Sequence, residues 1–203
     1  MRTTTLLLSV LFVFGAFSVF SQTAESYNES GKNKAIYKNF EGAIQDFTKA
    51  IELKPNFAEA YYNRGLARRI LGNFQEAIKD YNKAIELEPE YAAAYYNRAN
   101  AKMEIKNYFG AVKDYTKVIE LNPILSLAYN NRALANVNLG NYKVAIADYN
   151  KAIELLPNYA DAYYNRGIAK FLAHDKAGAC KDFHKALELD FKQAQQEIDK
   201  YCK

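Results

Sequence analysis

Residues 58–91 read AEAYYNRGLARRILGNFQEAIKDYNKAIELEPEY, and this stretch decides the fold. In its second half Ala77, Ile78, Tyr81, Ala84, Ile85 and Leu87 recur at helical spacing, while Lys79, Asn82, Lys83 and Glu86 take the opposite face. Gly72-Asn73 interrupts the pattern at its middle. Pro89 closes it, because the residue before a proline avoids helical geometry. The stretch therefore predicts a hairpin of two short amphipathic helices.

The same hairpin recurs along the chain. Pro55, Pro89, Pro123 and Pro157 stand 34 residues apart, and the surrounding words return with them: Ala-Tyr-Tyr-Asn-Arg-Gly, Gly-Asn-aromatic, Lys-Ala-Ile-Glu-Leu. Laid out by that period, the repeats run 24–57, 58–91, 92–125, 126–159 and 160–193, filling 22–193. The first helix carries an aromatic at Tyr27, Tyr61, Tyr95, Tyr129 and Tyr163, and a small residue at Gly31, Gly65, Ala99, Ala133 and Gly167. The second carries Ala43, Ala77, Ala111, Ala145 and Ala179, then Phe47, Tyr81, Tyr115, Tyr149 and Phe183, then Ala50, Ala84, Val118, Ala152 and Ala186. Small side chains let two helices approach closely. One hairpin cannot bury its apolar stripe, so stability must come from stacking on neighbours.

This order of aromatic, small, small, aromatic and proline positions resembles the tetratricopeptide repeat. The resemblance implies an all-α fold, a right-handed superhelical solenoid of about five helix-turn-helix repeats, with residues 194–203 as a C-terminal capping helix. It implies binding of a protein or peptide on the inner face of the first helices. Those positions are Asn28 and Lys32; Glu59, Tyr62, Asn63, Leu66 and Arg69; Tyr96, Asn97, Asn100 and Met103; Leu127, Asn130, Asn131 and Leu134; Asp161, Tyr164, Asn165, Ile168 and Phe171. Tyr62, Asn63, Leu66, Tyr96, Asn97, Asn100, Asn130, Asn131, Tyr164 and Asn165 form the candidate peptide-binding set. Tyrosine rings give contact area at low entropy cost and amides bond to a peptide backbone. The alternative is that the second tyrosine of each pair packs against a neighbouring helix. Some relatives grip a chaperone's terminal carboxylate through lysines, asparagines and an arginine. Here the positions that should be basic hold Asn28, Ala93, Asn97, Asp161 and Asn165, so that clamp is incomplete.

The chain departs from the resemblance where leucine is usual, three residues after the first aromatic: Ser30, then Arg64, Arg98, Arg132 and Arg166. Each second helix holds an aspartate, at Asp46, Asp80, Asp114, Asp148 and Asp182. Within a repeat the offset is 16 and leaves Asp46 opposite Ser30; between repeats it is 18 and gives every aspartate a basic partner, Asp46 to Arg64 through Asp182 to Lys200. The second arrangement is the expectation, a ladder of ion pairs keying the stack. Ordinary solvated charges are the alternative.

The first 21 residues are different in kind. Arg2 precedes an uncharged run from Leu6 to Phe20, and Val19 and Ser21 offer a cut after Ser21, the pattern of a signal peptide at 1–21. The run has 15 residues, short of a bilayer span of about 20. The expectation is an exported protein, periplasmic or secreted, with no stable membrane span after cleavage. A formal charge of +4, or +3 without Arg2, does not point to nucleic acid.

Repeat five breaks the pattern, with His174-Asp175-Lys176 in place of Gly-Asn-aromatic and Phe191 in place of proline. Ala194, Ile198 and Tyr201 among polar residues suit a capping helix. The two cysteines, Cys180 at an inward position and Cys202 near the end, are expected to form a disulfide in an oxidising compartment, against the alternative of two reduced thiols. Cys180, His184, His174 and Cys202 lack the spacing of a zinc site, so no metal is expected. There is no glycine-rich phosphate loop or Gly-x-Ser-x-Gly elbow, and the two histidines both lie in repeat five. The sequence points to no cofactor and no catalysis, and to a scaffold or adaptor. Its alternative is a self-associating structural component of a cell-envelope assembly.

Overall fold

The computed structural model describes residues 22–203; the signal segment expected at 1–21 lies outside the described residues. Five hairpins follow one another: α1 (Ala24–Ile36) with α2 (Phe40–Leu53), α3 (Ala58–Ile70) with α4 (Phe74–Leu87), α5 (Ala92–Glu104) with α6 (Tyr108–Leu121), α7 (Ser126–Asn138) with α8 (Tyr142–Leu155), and α9 (Ala160–Leu172) with α10 (Lys176–Glu188). A short helix, α11 (Ala194–Tyr201), lies against α10. Each hairpin packs on the next, and among the described residues there is no strand.

Each hairpin turns through one left-handed residue: Lys38, Gly72, Lys106, Gly140 and His174, with φ between 59° and 79°. In the second hairpin Gly72 N–H then reaches the Arg69 carbonyl at 3.0 Å and Asn73 N–H the Arg68 carbonyl at 2.9 Å, which satisfies the last carbonyls of α3. The following Asn39, Asn107 and Asp175 cap the next helix by accepting from Gly42, Gly110 and Gly178 N–H at 2.8–3.0 Å. Repeat five makes this same turn. The departure from the sequence pattern at His174 leaves the hairpin intact, since a left-handed histidine followed by a capping aspartate does what glycine and asparagine do elsewhere.

With the first helix of each hairpin called its A helix and the second its B helix, the core is a column of B-helix aromatics. Phe47, Tyr81, Tyr115, Tyr149 and Phe183 are fully buried, each against the small residue of its partner helix. A Cβ at Gly65 would sit 2.8 Å from a ring carbon of Tyr81, so the helices are as close as that glycine allows. The other side of each ring is covered by an alanine of the following repeat: Ala67 packs with Phe47, Ala101 with Tyr81, Ala135 with Tyr115 and Ala169 with Tyr149. In α1 the corresponding position is Asn33, and Ser26 replaces the buried Ala60, Ala94, Ala128 and Ala162; both are exposed. The first hairpin is thus polar at these two positions, while Ile36 and Tyr37 at the end of α1 are exposed. At the other end Ala194, Ile198 and Cys202 of the α11 segment close over Phe183, Ala179 and Ala186, and Tyr201 stacks on Phe171 at 4.1 Å. Gln195, Gln196, Asp199 and Lys200 are left to solvent. Cys180 and Cys202 are joined as a disulfide, 22 residues apart.

Lys106 adopts φ 59°. An L side chain pays roughly 1–2 kcal/mol there, partly offset by the greater freedom of an unfolded glycine. Lys106→Gly should therefore raise stability by about 0.5–1 kcal/mol in denaturant titration, whereas Lys113→Gly within α6 should lower it by about 1 kcal/mol. Replacing both cysteines by serine should cost about 2–4 kcal/mol of stability. Hydrogen exchange should then speed up first in α11, which has only α10 and a single aromatic stack to hold it.

Candidate functional site

A buried charge network fixes the surface on which any partner must sit. In repeats two to five the arginine and aspartate pair within the hairpin, at an offset of 16. Arg64 contacts both carboxylate oxygens of Asp80; Arg98, Arg132 and Arg166 hold Asp114, Asp148 and Asp182 through paired bonds of 2.7–2.8 Å. The expected step of 18 between repeats is therefore corrected, including Asp182 to Lys200: Asp182 pairs with Arg166 and Lys170, and Lys200 lies over the Tyr201 ring. Asp46 does face Ser30, which donates to it at 2.6 Å, but Lys34 supplies the charge at 2.7 Å. Burial pushes the Asp46 carboxyl up, and the bonds from Lys34 and Ser30 outweigh that and leave it below the usual carboxylate value.

The arginines still tie neighbouring repeats together, through a different atom. Each Nη1 reaches back 16 residues to a neutral oxygen: Arg64 to Thr48, Arg98 to Asn82, Arg132 to Thr116 and Arg166 to Asn150, at 2.7–3.1 Å. Each guanidinium also lies over the tyrosine three residues earlier, 5.2–5.7 Å from the ring centre. These partners were legible as a threonine or asparagine recurring two residues after each of the first four aspartates. The second cations were legible too, four residues after Ser30 and the arginines, at Lys34, Arg68, Lys102 and Lys170. Repeat four has Asn136 there, which bonds to the Arg132 carbonyl and to Asn141, so Arg132 is the sole cation on Asp148.

The candidate peptide-binding residues line the inner face of the A helices, and most are already engaged with one another. A ladder with a step of 35 runs along the groove: Asn63 donates to Asn28 at 3.1 Å, Asn97 to the Tyr62 hydroxyl at 3.1 Å and Asn131 to the Tyr96 hydroxyl at 2.9 Å. Tyr62 stacks on Tyr91 and Tyr81, Tyr96 on Tyr115, and Tyr164 on Phe191 and Phe183, with ring centres 4.8–6.1 Å apart. The second tyrosines thus pack against neighbouring rings while keeping one half-exposed side on the groove. Asn100 accepts from the Tyr115 hydroxyl at 2.6 Å; burial pushes that phenol's pKa up, so it remains a donor. The ladder stops at repeat four, where Asn130 is buried, donates to Asn131, and leaves its carbonyl oxygen without a partner. Leu66 and Asn165 remain half-exposed, while Leu127 and Leu134 are exposed.

Sequence models described as tetratricopeptide repeat match residues 58–91 and 92–124, and one described as TPR repeat matches 38–68 and 137–172. A crystal structure of MamA is 30% identical over 81% of this chain and 96% of its own, with a TM-score of 0.76. The chain belongs to the tetratricopeptide repeat family. MamA from Desulfovibrio magneticus RS-1 shares the family fold at TM-score 0.80 and 24% identity, covering 84% of this chain and 96% of its own. YrrB, described as a TPR protein with an unusual peptide-binding site, shares it at 0.79 and 22% identity, covering 88% and 93%. Among curated proteins no match was found. Among the described residues no helix is long and apolar enough to cross a membrane, and no three His, Cys, Asp or Glu side chains converge on a metal position.

Removing the guanidinium from a buried aspartate that has no other cation costs roughly 3–5 kcal/mol. Arg132→Met should therefore destabilise the protein by about that much, and Arg98→Met by clearly less, because Lys102 stays 2.7 Å from Asp114. Equal losses in denaturant melts would show that the second cations contribute nothing.

Proposed function

We propose that this protein is an exported scaffold that holds a segment of another protein in the groove formed by its A helices. The observation that carries the reading is the contrast between the groove and the rest of the stack. The C-terminal end is closed by α11, and at the other end α1 shows Ser26 and Asn33 where later repeats bury alanine, beside the exposed Ile36 and Tyr37. Along the B helices, Lys83, Lys117, Lys151 and Lys185 are paired with the glutamates three residues on. The groove instead offers half-exposed tyrosine rings, the amide of Asn165, and Leu66, Leu127 and Leu134. Aromatic and aliphatic anchors beside amides suit an extended or helical segment better than a small molecule. Membership of the tetratricopeptide repeat family supports a binding role rather than a catalytic one.

Export is supported by the uncharged run from Leu6 to Phe20 and by the disulfide, a bond that persists in oxidising compartments. The partner is then itself an envelope or secreted protein, held by contacts that need no metal or cofactor.

Because Tyr62 and Tyr96 also hold the stack together, the groove is better tested through its leucines. Leu66→Gln, Leu127→Gln and Leu134→Gln combined remove apolar contact without adding charge. Partner capture from envelope extracts of the source cells, quantified by mass spectrometry after crosslinking, should fall at least about tenfold, the loss expected when apolar anchors go. Lys83→Gln, Lys117→Gln and Lys151→Gln combined should leave capture unchanged. The reverse pattern would place binding on the convex face and overturn the proposal.

A further inference from the structure

The groove contains a cation that the protein does not neutralise. Arg64, Arg68, Arg98, Arg132 and Arg166 each pair with a buried aspartate. Arg69, one residue on from Arg68, forms no ion pair with any described carboxylate; its buried Nε makes no full hydrogen bond, and the group beside the guanidinium is the neutral hydroxyl of Tyr81. A guanidinium half withdrawn from water and left unpaired is costly, so such an arrangement calls for a partner.

The surroundings are shaped to receive one. Arg69, Asn100, Tyr115 and Asn131 bound a pocket of about 230 Å³, with Met103 and Leu134 as apolar walls. Asn131 is used at both ends, its amide on Tyr96 and its carbonyl on Asn130. Asn100 is not. Its carbonyl is occupied by the Tyr115 hydroxyl, which turns its NH₂ group outward with no acceptor among the described residues. The pocket therefore presents a guanidinium and a carboxamide N–H, two donors with no carboxylate on its floor; the acceptor that competes for Arg69 is the neutral Tyr81 hydroxyl. Glu104, on the rim and exposed, is the one acidic residue there and makes no ion pair with Arg69.

We propose that this pocket receives a carboxylate of the bound partner, with Arg69 as the charge partner and the Asn100 amide as the second donor. The inference rests on the groove reading above and adds the chemistry of one subsite. A planar monoanion matches a guanidinium fork and an amide. A phosphoryl dianion would meet Glu104 on the rim with a second charge. Arg69 stands outside the positions where chaperone-binding relatives place their basic residues, which here are Asn28, Ala93, Asn97, Asp161 and Asn165. The carboxylate is either an aspartate or glutamate side chain or a chain terminus.

Three capped amino acids separate these sources. N-acetyl-glutamate α-amide carries only a side-chain carboxylate, N-acetyl-alanine only a terminal one, and N-acetyl-glutamine α-amide neither. Titrated into the ¹⁵N-labelled protein, one or both acids should shift the Arg69 Nε–H and Asn100 NH₂ resonances saturably, and the neutral compound should not. The acid that binds identifies the source. Arg69→Gln should weaken binding at least about tenfold with the remaining backbone spectrum unchanged. Glu104→Gln should tighten it, because a competing negative charge is gone. No shift with either acid, equal shifts with all three compounds, tighter binding of inorganic phosphate than of either acid, or undiminished binding to Arg69→Gln would each overturn the subsite. If the leucine variant loses capture while Arg69 ignores both acids, the groove reading stands and only the carboxylate subsite falls.

Discussion

Every repeat after the first is organised around one guanidinium. Its Nε and Nη2 hold an aspartate across the hairpin, its Nη1 reaches the preceding repeat, and its face rests on a tyrosine. A single side chain thereby sets two distances at once: how far apart the helices of a hairpin lie, and how the hairpin sits on its neighbour. Buried ion pairs are weak sources of net stability, since desolvation offsets most of the attraction. Their effect here is on register. A hairpin slid by one helical turn would still bury alanine and tyrosine, but it would strand a desolvated aspartate.

That constraint explains the composition of the rest. With the charges fixed, the gap between helices admits only one large ring per repeat, and glycine or alanine must face it. The rings are chemically uneven. Tyr115 finds Asn100, while the buried hydroxyls of Tyr81 and Tyr149 make no full hydrogen bond, with the Arg69 guanidinium beside that of Tyr81. The first and last rings, Phe47 and Phe183, have no hydroxyl to satisfy. The middle of the solenoid is consequently its most polar part, and the groove inherits that gradient. Asn100 and Arg69 lie in the centre, and Leu127, Leu134 and Ile168 toward the C-terminal half.

Much of this was legible in the sequence. Four prolines gave the period, and the small and aromatic positions gave the hairpin, because both are set by steric contact and contact repeats with the fold. The ion-pair partner was not legible from spacing alone. Offsets of 16 and 18 both place an arginine near an aspartate, and counting partners favoured 18 only because Lys34 was left out of the count. Arginine is long enough to touch both neighbours, so sequence spacing identifies the residue that links repeats without identifying which atom bonds to which. The turn residues are uninformative for a related reason. A turn requires a backbone conformation, and residue type reports it only when glycine is used; three of these five turns use lysine or histidine.

The candidate site was legible as a surface and not as a set of free donors. Periodicity places Tyr62, Tyr96, Asn97 and Asn131 on one face, correctly, but residues that share a face at one-repeat spacing are also close enough to bond to each other. The same regularity that makes a groove tends to consume its polar groups. On the proposed groove reading, binding capacity lies where the regularity lapses. The Tyr-Asn pairing ends at Asn130, Asn100 stands where repeat one has lysine and repeats two, four and five have leucine or isoleucine, and Arg69 stands where the others have alanine, methionine, valine or phenylalanine. In a repeat protein the consensus positions are bound to maintaining the stack. On the proposed reading, recognition of a particular partner is written in the exceptions, and the exceptions on this face converge on a guanidinium and an amide at the junction of repeats two and three.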